Sequence, residues 1–160
     1  MKNKSKTSKV FLLWALLSVY TAVLIFRFSA QNGEASGALS QGIVTNLLQS
    51  FVSAENLDNA ERILRKLAHF GIYLFFGLSL FYSSYYYKNC RNKQEAGEFS
   101  FCTAFMYAVS DEFHQLFVPD RNCSTTDIMI DSFGALFGIG IAILILKLIA
   151  KINKKSKLVP

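Results

Sequence analysis

Charged residues and cysteines are both scarce in this chain. Asp, Glu, Lys and Arg account for 18% of its 160 residues, against 52% hydrophobic residues. That balance favours a membrane protein of one compact domain. The cysteines Cys90, Cys102 and Cys123 are odd in number and lack metal-ligand spacing, so the sequence predicts no disulfide framework. Apart from its basic ends, it also lacks internal repeats and low-complexity segments.

The net charge of +6 would suggest nucleic-acid binding in a soluble protein. Here, however, the basic residues flank long apolar runs and do not form a patch or an arm. This placement is typical of the cytoplasmic ends of membrane helices, so nucleic acid is not an expected partner.

Four apolar runs predict four transmembrane helices. They cover about residues 10–27, 67–87, 99–118 and 128–150, and a helix needs about 20 residues to cross the roughly 30 Å hydrocarbon layer. The first run could be a signal peptide, but cleavage after Ala30 would put Phe28 where a small residue is required, so an uncleaved anchor is expected. The third contains Asp111, Glu112 and His114 and could be a buried helix of a soluble core. Its position between two clear spans favours a membrane helix.

The distribution of Lys and Arg predicts that both termini are cytoplasmic. Four basic residues precede the first run, three lie in the loop 88–98 and five occur from residue 147 onward, which places 12 of the 17 on one side of a four-span protein. The whole chain, residues 1–160, is then a single multi-pass membrane domain.

The segment between the first two runs should also be structured. Residues 39–53 repeat apolar side chains at helical spacing with polar ones between them, which predicts an amphipathic helix in the outer interface. A further helix should begin at Asn56 or Asp58 and continue into the second run. The expected fold class is therefore an all-α membrane protein, a bundle of four transmembrane helices with an amphipathic outer interfacial helix.

Polar and ionisable residues of the last three runs gather near the outer ends of those runs. The group comprises Arg65, Lys66, His69, Asp111, Glu112, His114, Gln115, Arg121, Asp127 and Asp131. Spacings of three or four residues place many of them on shared helix faces, as for Asp127 and Asp131. A charge near the bilayer centre costs about 2.5 to 3.5 kcal/mol, so mutual pairing or a wet cavity explains the group most simply. Gly134, Gly138 and Gly140 should let the fourth span approach a neighbour closely.

Three interpretations of this group stay open. Its members could form ion pairs that lock the bundle, although polar contacts between membrane helices are individually weak, about 0.6 kcal/mol. They could line a binding or catalytic pocket open to the outside, which is the favoured interpretation because intramembrane ionisable residues are usually functional. They could bind a metal, whose ligands would be His69, Glu112, His114 and Asp131. Helical Glu-x-His spacing is not a strong signature, however, so neither a metal nor a cofactor is predicted.

Three stretches carry a resemblance to a known family. FSAQNGEAS (28–36), RKLAHFGIYLFFG (65–77) and SDEFHQLFVPDRNCSTTDIMIDSFGALFG (110–138) resemble the VanZ-like family, with its DE-x-HQ, P-x-R and D-x3-D-x2-G elements in order. The resemblance covers about residues 28–138 and carries over the same ten polar and ionisable residues as motif positions. Asp120 departs from the pattern because Gly is usual after this proline, and Asn122 and Cys123 replace smaller residues.

The family is one of small bacterial membrane proteins, named for a member associated with teicoplanin resistance. The resemblance therefore implies a role at the cell envelope, in the bacterial plasma membrane, and in glycopeptide tolerance. The leading hypothesis is binding of a membrane lipid or lipid-linked envelope molecule, whose phosphate or carboxylate Arg65, Lys66 and Arg121 would hold. The alternative is a membrane hydrolase or transferase acting on a lipid-linked phosphate head group. The catalytic residues would then be His69, His114, Asp111 and Asp131. Whether the protein is an enzyme stays open, and a homo-oligomer is compatible with both hypotheses.

Overall fold

The described part of the chain is built from α-helices. The computed structural model describes residues 4–31, 38, 42, 54–87, 90 and 92–156. The helices are α1 (Lys4–Ser29), α2 (Ala54–Tyr86), α3 (Lys93–Gln115) and α4 (Thr125–Ser156). The predicted all-α class is therefore confirmed. The amphipathic helix predicted over residues 39–53 lies, apart from Gly42, outside the described residues.

Helix ends follow local sequence signals. The side-chain oxygen of Asn92 accepts the backbone N–H of Glu95 at 2.9 Å, which caps the start of α3. Ser124 does the same for α4, since its hydroxyl accepts the N–H of Asp127 at 3.3 Å. α2 begins a few residues earlier than predicted and continues without a break into the second span, as expected.

Contacts between the helices define their relative directions. Trp14 of α1 stacks on Tyr82 of α2, with ring centroids 4.7 Å apart. Further along α1, the Ala22 carbonyl accepts a 2.7 Å hydrogen bond from the hydroxyl of Tyr107, whose ring packs on Phe76 of α2. α1 and α3 therefore run opposite to α2, whereas α4 runs in the same direction as α2. As a result, the ends of α1 and α3 meet the N-terminal halves of α2 and α4 at one end of the bundle.

The apolar core consists of two clusters along the bundle. The first surrounds Tyr73 and includes Ala104 and Ala108 of α3, all fully buried. The second lies nearer the other end, around Phe81 of α2 and Ile139 of α4. The alanines on the inner face of α3 let its backbone approach the other helices closely, which is how membrane helices gain dispersion contacts without a hydrophobic driving force.

α2 and α4 touch backbone to backbone at glycines. A Cβ atom on Gly138 would collide with the Leu74 carbonyl, and one on Gly134 with the Phe70 carbonyl. The prediction that glycines bring the fourth span close to a neighbour is therefore confirmed for these two. It is wrong for Gly140, where a Cβ atom would meet nothing within 4 Å, because this residue lies on the exposed side of α4.

Three of the described helices are long and apolar enough to cross a membrane. They are Ser8–Ser29, Asn59–Tyr86 and Thr125–Lys154. These segments contain most of the first, second and fourth predicted spans, and they extend those spans by two to eight residues at one or both ends. The described part of the chain thus has the composition and helix lengths of a membrane protein.

α3, the helix of the third predicted span, turns its carboxyl groups at Asp111 and Glu112 toward the bundle. Its inward face is small or polar, with Ser100, Asp111 and Gln115 buried. Its outward face carries large apolar side chains, such as Phe99 and Met106, each 64% exposed. The buried polar side chains contribute to the low mean hydropathy of α3.

Among the described residues other than glycine, Asp120 has the positive φ angle, 59°, in the turn between α3 and α4. This left-handed region favours glycine, so the backbone here suits the glycine that the resemblance leads one to expect after this proline. We expect Asp120→Gly to leave thermal stability unchanged or slightly higher, and Asp120→Ala to lower it by about 1 kcal/mol. Thermal unfolding in detergent measures both, with the exposed neighbour Asn122→Ala as control. A larger loss for Gly than for Ala would contradict this explanation.

Candidate functional site

Three carboxyl groups meet inside the bundle. Asp111 and Glu112 of α3 and Asp131 of α4 are 4%, 0% and 0% exposed, respectively. Each offers an oxygen that lies within 4.8 Å of an oxygen of the other two. We call these three residues the acidic cluster. Carboxylates this close repel strongly in a medium of low dielectric constant, so the acidic cluster requires protons, cationic partners or a bound cation.

Several buried polar atoms around the acidic cluster have no hydrogen-bond partner among the described residues. Each of the three carboxylates has such an oxygen: Asp111 Oδ2, Glu112 Oε1 and Asp131 Oδ2. The hydroxyl of Tyr73 is in the same condition, whereas that of Ser29 lies within hydrogen-bonding reach of Asp111. Roughly nine in ten or more of the buried polar groups in proteins are hydrogen-bonded. A concentration of unpaired groups therefore points to a bound molecule or ion.

Glu112 ties α3 to the beginning of α4. Its Oε2 atom accepts the backbone N–H of Ser124 at 2.7 Å. In a capping box, an acidic or amide side chain of the same helix satisfies the N–H of the capping residue. Here a side chain from the preceding helix takes that role, so the start of α4 is anchored directly on the acidic cluster.

His69 of α2 pairs with Asp131. Its Nδ1 atom is 3.4 Å from Asp131 Oδ1, and the imidazole side chain is 24% exposed. One imidazolium ion can balance only one of the three carboxylates. Because Nδ1 faces Asp131, Nε2 is the ring nitrogen that can act on a ligand.

Two guanidinium groups belong to the same end of the bundle. Arg121 donates from Nε to the Gln31 carbonyl at 3.3 Å and from Nη2 to the Phe28 carbonyl at 3.4 Å, which satisfies oxygens at the end of α1. Burial lowers the pKa of Arg121, the positive charge of Arg65 lowers it further, and nearby carboxylates oppose both effects. Arg65 itself pairs with Glu61, one turn earlier on α2, at 2.7 Å. Among the described residues, this ion pair of Arg65 therefore lies within a single helix.

The remaining predicted site residues differ in how deeply they are buried and in what they contact. Gln115 is 2% exposed and lies beside the acidic cluster. Asp127 is half-buried in the first turn of α4, and Lys66 is exposed. His114 turns its ring toward α1, where it packs on Phe26 with ring centroids 4.7 Å apart.

Sequence reasoning did not assign Ser29 or Tyr73 to the site. Ser29, at the end of α1, is 3% exposed and lies beside Asp111. Tyr73 is 0% exposed and lies within electrostatic reach of Asp111 and Asp131. A signal existed for each, since Tyr73 follows His69 by one helical turn and Ser29 stands in the FSAQNGEAS stretch.

Comparison with known proteins identifies the family. A search of curated proteins found no match, and a search of solved structures found none either. The family model described as VanZ/LLP1 matches residues 11–147, a range that includes the acidic cluster and every predicted site residue. As the resemblance of its motifs predicted, the chain belongs to the VanZ/LLP1 family.

Proposed function

We propose that this VanZ-family protein is a four-span envelope protein of the bacterial plasma membrane that binds the anionic head group of an amphiphilic envelope molecule. The head group would lie against Arg65 and Arg121, near the acidic cluster. The observation that carries this proposal is that Arg121, which hydrogen-bonds carbonyls near the end of α1, and Arg65, in the N-terminal half of α2, lie at the same end of the bundle. The positive charge of Arg65 also contributes to lowering the pKa of Arg121. An anion between them would relieve their repulsion, and a phosphate matches the guanidinium fork in shape.

The four-span topology includes α3 as the third span. Its 23 residues extend about 35 Å at 1.5 Å per residue, enough for the hydrocarbon layer. Its exposed apolar face would meet lipid, and its carboxyl groups would meet the other helices. With both termini cytoplasmic, as the Lys and Arg distribution predicts, the acidic cluster lies toward the outer leaflet.

A site in that position suits a contribution to teicoplanin tolerance. Teicoplanin is an acylated glycopeptide, so its tail can enter the outer leaflet beside the protein. A lipid-linked wall precursor presents the same combination of anionic head and apolar chain. The exposed apolar side chains of the helices, such as Leu16 and Phe137, offer the surface against which such a chain would lie.

Binding of a long-chain isoprenoid monophosphate tests the proposal. In nanodiscs of neutral lipid, we expect Arg65→Gln and Arg121→Lys each to weaken binding by about tenfold, because each removes a charge-assisted or bidentate hydrogen bond. Arg62→Gln changes an exposed arginine of the same helix and should leave binding unchanged. Native mass spectrometry measures the bound fraction. Equal binding by all variants, or equal binding of the uncharged isoprenoid alcohol, would contradict the proposal.

The His69–Asp131 pair favours a second function, hydrolysis or transfer of the phosphate head group. A histidine held by a carboxylate can serve as a general base. The same binding experiment separates the two functions. Phosphate released by the wild-type protein and lost in His69→Gln would favour the enzyme, whereas intact ligand bound equally by both would favour a binding protein.

A further inference from the structure

We infer that the acidic cluster binds a hard divalent cation of the Mg²⁺ or Mn²⁺ type. Asp111, Glu112 and Asp131 offer oxygens that lie within 4.8 Å of one another. A cation with oxygen ligands at about 2.0 to 2.6 Å holds opposite ligands roughly 4 to 5 Å apart, so the three oxygens can share one ion. This inference does not depend on the head-group proposal, because the carboxylates alone supply these ligand atoms.

Charge balance supports a cation of charge two. The three carboxylates are at most 4% exposed, and an uncompensated buried charge costs several kcal/mol. His69 can supply one positive charge through its 3.4 Å contact with Asp131. Arg121 acts on Glu112 and Asp111 through its charge, but its Nε and Nη2 atoms donate to the Gln31 and Phe28 carbonyls and not to the carboxylates. A divalent cation together with the imidazolium ion would balance all three carboxylates.

The buried hydroxyl of Tyr73 provides the independent indication of a ligand. It has no hydrogen-bond partner among the described residues, and Tyr73 is 0% exposed. The hydroxyl of Ser29, which is 3% exposed, lies within hydrogen-bonding reach of Asp111. Both lie near Asp111. They could accept a cation or hydrogen bonds from its water ligands, and they would extend the oxygen environment to residues from all four described helices.

The chemistry of the candidate ligands selects the kind of metal. Carboxylates and hydroxyls are hard oxygen donors, which suit Mg²⁺ or Mn²⁺ better than Zn²⁺, whose protein sites are dominated by His and Cys. His69 contacts Asp131 and would orient that carboxylate toward the ion, as imidazole and carboxylate partners commonly do around metals.

Titration with Mn²⁺ tests the inference. Chelator-treated protein in detergent should bind one Mn²⁺ per chain, and Mg²⁺ should displace the bound Mn²⁺. Electron paramagnetic resonance of the free Mn²⁺ measures the binding. We expect Asp111→Asn and Asp131→Asn each to weaken binding by at least about tenfold. Asp120→Asn changes an exposed loop carboxylate and should bind Mn²⁺ as the wild type does. Mn²⁺ should also raise the thermal stability of the wild type but not of the two cluster variants.

Several outcomes would overturn the inference. One is the absence of Mn²⁺ binding by the wild type, and another is equal binding by both cluster variants. A third is an infrared band of protonated carboxyl groups that persists in saturating Mn²⁺ and is lost in Asp111→Asn. Such a band would mean that protons, and not a cation, neutralise the acidic cluster. If Asp131→Asn fails to give a single size-exclusion peak, Asp111→Asn decides. The isoprenoid phosphate assay in the presence of chelator reports on the head-group site alone, so failure of either proposal can be recognised separately.

Discussion

Gly138→Ala should destabilise the bundle by about 3 kcal/mol, at the upper end of the usual range for overpacking. The added methyl group would collide with the Leu74 carbonyl, which belongs to the backbone of α2 and cannot rotate away as a side chain could. α2 and α4 must then separate along the whole seam that also contains Gly134. At roughly 2 to 4 °C per kcal/mol for a protein of this size, the apparent Tm should fall by about 10 °C. Thermal unfolding monitored by size-exclusion chromatography in detergent measures the change.

Gly140→Ala is the matched control for this experiment. The residue lies in the same helix, two positions further on, and a methyl group there meets nothing within 4 Å. Because Ala favours a helix over Gly by about 1 kcal/mol, this variant should be as stable as the wild type or slightly more so. Opposite signs at two glycines of one helix would establish that close approach to α2, and not glycine content, is what matters. Equal losses in both variants would contradict the backbone contact.

Glu112→Leu should be less stable than Glu112→Gln by about 2 kcal/mol, the value of a buried hydrogen bond whose loss leaves its donor unpaired. Both substitutions remove a negative charge from the acidic cluster, and both relieve its repulsion to the same extent. They differ because Gln can still accept the N–H of Ser124, whereas Leu cannot. The comparison therefore isolates the bond that anchors the start of α4.

Chelator should be present when these two variants are unfolded by heat, so that a bound cation does not contribute to the difference. Far-ultraviolet circular dichroism at low temperature should show the same helix content for both variants before unfolding. Equal Tm values for Gln and Leu would mean that the Ser124 N–H finds another acceptor. In that case, Glu112 would act on stability through its charge alone.

The sequence predicts the helical class and the regions of the described helices, because long apolar runs can fold in lipid only with their backbone hydrogen bonds satisfied within the segment. It also predicted that the polar groups of three helices would lie at one end of the bundle. The direction of the chain and the length of each apolar run determine how far along the bundle these polar groups lie, without any knowledge of packing. α3 was recognised in spite of Asp111 and Glu112, since its neighbours left little room for another arrangement.

The rotation of each helix about its axis could not be predicted, and this accounts for the differences at the site. Gly140 is an exception, because two residues of helix turn it by about 200° from Gly138, and it points to the exposed side of α4 as that spacing predicts. His114 was grouped with the carboxylates, yet its ring packs on Phe26. The participation of Ser29 depends on where α1 docks, a contact between distant parts of the chain that local spacing does not encode.

The buried carboxyl groups of α3 have a consequence for biogenesis under the proposed topology. An isolated α3 leaving the translocon would present Asp111 and Glu112 to acyl chains, at a cost that can reach about 2.5 to 3.5 kcal/mol for a carboxylate at mid-bilayer depth. α4 follows in the chain and supplies the N–H group of Ser124 on which Glu112 depends. We therefore expect α3 and α4 to enter the bilayer as a hairpin, so that ribosomes stalled before α4 emerges would leave α3 uninserted.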